Sequence, residues 1–197
     1  MGEGTRPPGA GVVVPVKSFA VAKRRLSAVL DADQRAALAR TMAATVLRAA
    51  GPLPAVVVCD DTGVRSWATA LGVEVVWTPG VGLNGAVEAG VSVLAERGFG
   101  QAVVAHADLP LATDLAWVAD GEGVTLVPDR HGDGTNVAAV PTTAGFRFAY
   151  GAGSCARHEA EARRLGLEVR VLPDDRLGWD VDRPEDLDLP TALRIGA

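Results

Sequence analysis

Short β-branched apolar runs alternate along the chain with longer stretches in which apolar residues recur at helical spacing. Val12 to Val16 predicts a first strand, with an irregular exit at Pro15 before Lys17. Asp31 to Asp33 offer caps for a helix over Gln34 to Ala50, where Ala, Leu, Met and Val interleave with Arg until Gly51-Pro52 stops the pattern. Ala55 to Cys59 predicts a second strand, Val64 to Leu71 a helix closed by Gly72, and Val73 to Trp77 a third strand. Gly80 to Gly85 reads as a loop and Ala86 to Arg97 as a helix ended by Gly98. Then come a strand at Ala102 to Ala105, a helix near Ala112 to Ala119 and a strand at Val124 to Val127. Asp129 to Asn136 is a polar, turn-rich loop and Val137 to Val140 a strand. Gly151 to Leu165 is a glycine-led helix with Arg157, Arg163 and Arg164 on its exposed side, Glu168 to Leu172 is strand-like, and Pro184 to Leu193 predicts a last helix. This alternation predicts an α/β fold with a mostly parallel central sheet, helices on both faces and right-handed crossovers.

Composition narrows the picture. At 197 residues the expectation is a single domain over residues 11–197, preceded by a loose Gly- and Pro-rich tail over residues 1–10. The chain is 48% apolar and 22% charged, which places it among folding rather than disordered sequences. A net charge of -5 argues against a dedicated nucleic-acid binder, so phosphate chemistry must rest on local clusters of Lys and Arg. Cys59 and Cys155 have no metal-ligand spacing and read as free thiols of a reducing compartment. No apolar stretch reaches the roughly eighteen residues of a membrane span, and no secretion signal opens the chain. A cytoplasmic protein without membrane or nucleic-acid partners is expected, and a homodimer is allowed.

Four constellations carry candidate chemistry. The strand over residues 101–105 runs toward Asp108 and Pro110, and ligands of open α/β sheets bind beyond the carboxyl ends of such strands. Asp108 is therefore either a site acid aimed into that crevice or a cap for the helix expected after it. Lys17, Lys23, Arg24 and Arg25 fall within nine positions after the first strand, where a doubly wound sheet holds phosphate. The alternative is a solvated charge run, and neither a P-loop nor a dinucleotide fingerprint is present.

Asp180 and Asp182 sit one residue apart before Pro184, so they share a metal only at a bend; alternatively Asp182 is a simple N-cap before Pro184. With Asp108 they offer hard oxygen ligands suited to Mg²⁺, which fills its shell with substrate phosphates. Gly151-Ala152-Gly153-Ser154 leads into a helix start and offers a second anion site, with Thr135 of Asp133-Gly134-Thr135-Asn136 as its partner; alternatively it is a turn capped by Ser154. Gly82, Asn84 and Gly85 either let backbone and an amide approach a base or form a helix entry. His106, His131 and His158 show no ligand spacing and read as surface or supporting residues.

Taken in order, Val14-Pro15-Val16-Lys17, Lys23-Arg24-Arg25-Leu26, Gly82-Leu83-Asn84, Asp108-Leu109-Pro110, Asp133-Gly134-Thr135-Asn136, Gly151-x-Gly-Ser154 and Trp179-Asp180-x-Asp182 resemble the 2-phospho-L-lactate guanylyltransferase family. That family includes phosphoenolpyruvate guanylyltransferases and serves deazaflavin coenzyme F-420 biosynthesis. It is similar to the wider nucleotidyltransferases with a Rossmann-like sheet, but this chain lacks their Gly-Gly-x-Ser-x-Arg-Met-Gly loop after the first strand. The resemblance implies that GTP reacts with a phosphorylated three-carbon acid and releases pyrophosphate. It implies that Asp108, Lys17 and Lys23 are catalytic, and that Lys17, Lys23, Arg25, Gly82, Asn84 and Gly85 meet the nucleotide. Thr135, Gly151 and Ser154 would hold the acceptor, and Asp108, Asp180 and Asp182 would bind Mg²⁺. The acceptor phosphate is already ionised, so positioning and charge neutralisation suffice without a general base. The Ala-, Val- and Arg-rich bias suggests a GC-rich source, and for such bacteria the resemblance implies phosphoenolpyruvate rather than 2-phospho-L-lactate as acceptor. Competing readings are a transferase with a sugar-phosphate or pterin acceptor and a non-catalytic nucleotide-binding subunit.

Overall fold

A computed structural model describes residues 9–189. Seven strands form one sheet: β1 (Ala10–Pro15), β2 (Ala55–Cys59), β3 (Glu74–Trp77), β4 (Gln101–Ala105), β5 (Val124–Pro128), β6 (Thr135–Pro141) and β7 (Val169–Val171). Their spatial order is β3-β2-β1-β4-β6-β5-β7. All pairings are parallel except those of β6, which runs antiparallel to both β4 and β5. Four helices pack on it: α1 (Ala32–Ala49), α2 (Thr62–Ala70), α3 (Gly82–Glu96) and α4 (Ser154–Arg164).

The period of two along each strand divides the core between the faces. Val12, Val14, Val57, Val103 and Val137 pack with α1 and α2, whereas Val13, Val56, Val58, Val104 and Ala138 pack with α3 and α4. Strands covered on both sides read as continuous apolar runs, which is why β1, β2 and β4 were legible. On α3, Gly90 allows close approach to the sheet: a Cβ there would meet Val13 Cγ1 at 2.6 Å and Val58 Cγ1 at 2.8 Å.

The chain leaves β1 toward β2 on one side and returns as β4 on the other, so the crevice beyond β1 and β4 is the switch point at which open α/β sheets bind ligands. Because β6 is antiparallel, its first residues reach the same edge: Ala105 pairs with Val137, and the His106 N–H donates to Asn136 O at 3.0 Å.

Several boundaries differ from the sequence expectation. The strand starts at Ala10, inside the expected tail; residues 1–8 lie outside the described residues. Helix α3 starts at Gly82 rather than Ala86, which moves Gly82, Asn84 and Gly85 from a loop into its first turn. Thr135 and Asn136 belong to β6, not to a loop. The helix expected near Ala112 to Ala119 is one 3-10 turn over Ala116–Ala119. The buried residues of the segment leading into it, Leu109, Ala112, Leu115 and Val118, recur every third position, the 3-10 period rather than the α period. The last helix is likewise a 3-10 turn, Pro184–Leu187, and the part expected beyond residue 189 lies outside the described residues. Pro190 disfavours helix at the residue before it.

Candidate active site

The loop after β1 folds back over the sheet edge through two 3-10 turns, Phe19–Val21 and Arg24–Leu26. Between them Lys23 takes a left-handed conformation, φ 52°, and no other non-glycine among the described residues has positive φ. That conformation costs a lysine on the order of 1 kcal/mol. It goes with an ammonium turned inward: Lys23 Nζ lies 2.6 Å from Asp108 Oδ2 and 3.1 Å from Asp182 Oδ1. Arg25 Nη1 reaches Asp182 Oδ2 at 3.0 Å from the solvent side. Lys17, Lys23, Arg25, Asp108 and Asp182 line one open cleft of about 400 Å³, to which α3 adds Leu83 and the turn after β4 adds His106. That volume suits a small-molecule site, roughly 300–1,000 Å³.

The charges in the cleft hold one another ionised. Burial pulls the Lys23 ammonium down, yet Asp108 and Asp182 together raise it above its ordinary value. Burial pushes the Asp108 carboxyl up, but Lys23 holds it below the usual carboxylate range. Asp180 behaves oppositely: burial, and then the negative charges of Asp108 and Asp182, push its carboxyl up. The two nearby aspartates thus serve different neighbours. Asp182 faces Lys23 and Arg25, and Asp180 faces Arg130, whose Nη1 is 4.0 Å away.

Asp186 makes the bend that separates them. Its buried carboxylate accepts the Asp182 and Arg183 N–H groups, both at 2.7 Å, and pairs with Arg130. The Val181 N–H donates to Asp108 O at 3.2 Å, which ties this bend to the turn after β4. Neither Asp108 nor Asp182 is a helix cap; the carboxylates are committed to cations across the cleft.

Whether this acid set suits a divalent cation is a matter of donors. Asp108 Oδ1 is buried without a hydrogen-bond partner, an oxygen that a hard cation would satisfy. Among the described residues no three His, Cys, Asp or Glu side chains gather closely enough to hold a metal unaided. Mg²⁺ does not require three, because it binds through one or two carboxylates and completes its shell with phosphate oxygens and water. The residues therefore fit a nucleotide-borne Mg²⁺ rather than a permanently caged ion.

A second cluster sits beside the first, at the start of β6 and α4. Thr135, Ser154 and His158 are 2%, 1% and 0% exposed. Ser154 Oγ donates to Thr135 Oγ1 at 3.3 Å, and His158 Nδ1 lies 3.0 Å from the same oxygen. The glycine turn that feeds α4 needs positive φ twice, 115° at Gly151 and 70° at Gly153. Gly153 occupies the cap position, so Ser154 is the first helical residue and not its cap.

Arg157 clamps this turn by donating to Ala149 O and Ala152 O, and Gly153 N–H donates to Asp133 Oδ2 at 2.9 Å. Asp129, which the sequence reading passed over, organises the neighbouring loop by accepting the N–H groups of His131, Asp133 and Gly134. Asn84 Oδ1 accepts the Tyr150 N–H at 2.9 Å, which pins α3 to the glycine turn and occupies one half of the amide expected to read a base.

The structure thus brings Lys17, Lys23, Arg25, Asp108 and Asp182 into one cleft, with Asp180 adjoining it. Thr135, Gly151 and Ser154 stand in a neighbouring cluster, and Gly82, Asn84 and Gly85 lie in the α3 turn between them. His158 was read only as a surface or supporting residue; it is buried. Its place four residues after Ser154, on the same helix face, was the available signal.

One charge-compensated cleft and one buried hydroxyl cluster thus lie side by side beyond the strand ends, and comparison with known proteins is specific. The family model described as guanylyl transferase CofC like matches residues 10–189. The chain belongs to that family. Curated members similar to it include the phosphoenolpyruvate guanylyltransferases of Sphaerobacter thermophilus, 38% identical over 89% of this chain and 89% of that protein, and of Rubrobacter xylanophilus, 39% identical over 89% and 90%. The 3-phospho-D-glycerate guanylyltransferase of Phenylobacterium zucineum is 34% identical over 90% of this chain and 87% of its own.

Among solved structures, a nucleotide-diphospho-sugar transferase of Desulfovibrio desulfuricans superposes with a TM-score of 0.73 at 19% identity, covering 91% of this chain and 85% of that one. A nucleotidyl transferase of Methanothermobacter, at 0.63 and 16%, covers 91% and 94%. These likenesses show that the guanylyl transferase family shares the nucleotidyltransferase fold expected from the sequence.

Proposed function

We propose that the protein transfers GMP from GTP to the phosphate of phosphoenolpyruvate, releasing pyrophosphate, as a step of coenzyme F-420 biosynthesis. The observation that carries this reading is the cleft beyond β1 and β4, where Lys23 and Arg25 pair with Asp108 and Asp182, Lys17 lines the same space, and a buried hydroxyl cluster lies alongside. Membership of the family supports guanylyl transfer, and the names of the Sphaerobacter and Rubrobacter relatives favour phosphoenolpyruvate as acceptor.

Lys17, Lys23 and Arg25 take the triphosphate, and Lys23 exchanges its carboxylate partners for phosphate oxygens as the nucleotide enters. Asp108, with Asp182 or Asp180, holds Mg²⁺, which when bound neutralises the triphosphate and the departing pyrophosphate. Thr135, Ser154 and the backbone N–H groups of the glycine turn hold the acceptor. An acceptor phosphate oxygen attacks the α-phosphorus as the bond to the pyrophosphate oxygen breaks. That oxygen is already ionised near neutral pH, so the residues align charges and move no proton. His106, whose burial pulls its imidazole below the ordinary value, is neutral there and takes no part as an acid.

The test is pyrophosphate release by the full chain with Mg²⁺ across a matrix of GTP and CTP against phosphoenolpyruvate, 2-phospho-L-lactate and 3-phospho-D-glycerate. GTP with phosphoenolpyruvate is expected to turn over fastest. Turnover with none of the three acids would overturn the reading, and preference for 3-phospho-D-glycerate would correct the acceptor.

A further inference from the structure

His158 is enclosed by Phe146, Phe148 and Tyr150, whose ring centroids lie 5.8, 5.8 and 4.9 Å from its own. Both of its ring nitrogens are engaged. Nε2 accepts the Ala149 backbone N–H at 2.9 Å, and a nitrogen that accepts such a bond carries no proton. In the neutral ring the one proton is therefore on Nδ1, which donates to Thr135 Oγ1 at 3.0 Å. Burial, and then the Arg157 charge, bring the imidazole down to about 4, so the neutral form prevails near pH 7.

Counting donors gives the consequence. Thr135 and Ser154 hold two hydroxyl protons, and the bond between the two oxygens uses one. Since His158 donates to the pair rather than accepting from it, the second proton is left for a ligand. In the other tautomer Nδ1 would consume that proton, and the pair would turn only lone pairs toward an anion.

We propose that His158 is a positioning residue for the acceptor: fixed by the Ala149 N–H, it donates to Thr135 and so aims one hydroxyl proton of the Thr135–Ser154 pair at an anionic oxygen of the substrate. The proposal rests on reading that pair as part of the acceptor site. Arg157 reinforces it from the same helix, because its grip on Ala149 O holds the peptide segment whose N–H fixes the ring.

The experiment compares Michaelis constants for phosphoenolpyruvate and GTP, with Mg²⁺ present, in the wild type and four variants. His158→Leu is expected to raise the constant for phosphoenolpyruvate about fivefold, the worth of one net hydrogen bond, while that for GTP stays within about twofold. His158→Asn, whose amide nitrogen stands in for Nδ1–H, is expected to recover most of the loss. Equal rises for both substrates, no rise, or no recovery by Asn would overturn the proposal.

Thr135→Val and Ser154→Ala separate the two levels. If neither disturbs phosphoenolpyruvate, the acceptor reading itself fails; if they do and His158→Leu does not, only the role of His158 fails. Should His158→Leu not fold, nitrogen-15 NMR of histidine-labelled wild type decides. A protonated Nδ1 on His158 is expected, and a protonated Nε2 would contradict it.

Discussion

Two regions at one edge of the sheet are built by opposite physical means. In the cleft, Lys17, Lys23 and Arg25 stand on the loop after β1, and the charges of Lys23 and Arg25 are balanced by Asp108 and Asp182. In the hydroxyl cluster the side chains of Thr135, Ser154 and His158 are buried, neutral and hydrogen-bonded to one another. The outer pair of the cleft, Arg25 with Asp182, is exposed and exchanges partners readily, whereas the inner pair, Lys23 with Asp108, is mostly buried and gives up its partner only for another charge. A buried neutral network is specific because each donor and acceptor must be satisfied. A flexible, highly charged triphosphate suits the first region, and a small acid whose shape must be judged suits the second. Phosphoenolpyruvate and 2-phospho-L-lactate differ only in saturation, and pockets separate such pairs by modest factors unless hydrogen bonds are at stake.

The comparison breaks most readily at Asp108. Asp108→Asn keeps the volume but removes the charge that faces Lys23, and kcat is expected to fall about 10²- to 10³-fold, with the fold intact by circular dichroism. A variant that keeps a tenth of the wild-type rate would show that the reaction does not run through the acid side of the cleft.

A smaller effect sharpens the other region. The folded-state value of His158 is about 4 against an ordinary 6.5, so the unfolded chain binds more protons between those values. Stability from the neutral ring is thus fully present above about pH 6.5 and is lost as pH falls toward 4. Between pH 7 and pH 5 this amounts to about 2 kcal/mol of unfolding free energy. From denaturant titrations at the two pH values, the loss of unfolding free energy between pH 7 and pH 5 is expected to be larger in the wild type than in His158→Asn by that amount. Parallel pH dependences would mean that His158 titrates as it does in water.

The contrast also governs what the sequence disclosed. Charge clusters are visible in one dimension: four cations after β1 and an acid after β4 mark the cleft before any fold is known. Doubly covered strands are visible for the same reason, as unbroken β-branched runs. Which acid each cation meets is not local, since Lys23 and Asp182 are joined only through the bend that Asp186 makes. Nor was the buried network legible, because Thr135, Ser154 and His158 are ordinary residues until β6 reverses direction and α4 packs over it. The short 3-10 turn where an α-helix was expected has a different origin: the buried residues of this segment, Leu109, Ala112, Leu115 and Val118, recur every third position, a spacing close to the helical one in sequence.

The central claim, that the cleft takes the nucleotide and the hydroxyl cluster the acceptor, is tested most directly by crossing two mild variants with the two substrates. Arg25→Gln should raise the Michaelis constant for GTP roughly threefold and leave that for phosphoenolpyruvate unchanged, as fits an exposed charge. Ser154→Ala should do the reverse, raising only the constant for phosphoenolpyruvate, by roughly tenfold. Both variants weakening the same substrate, or each weakening the other's, would contradict the account.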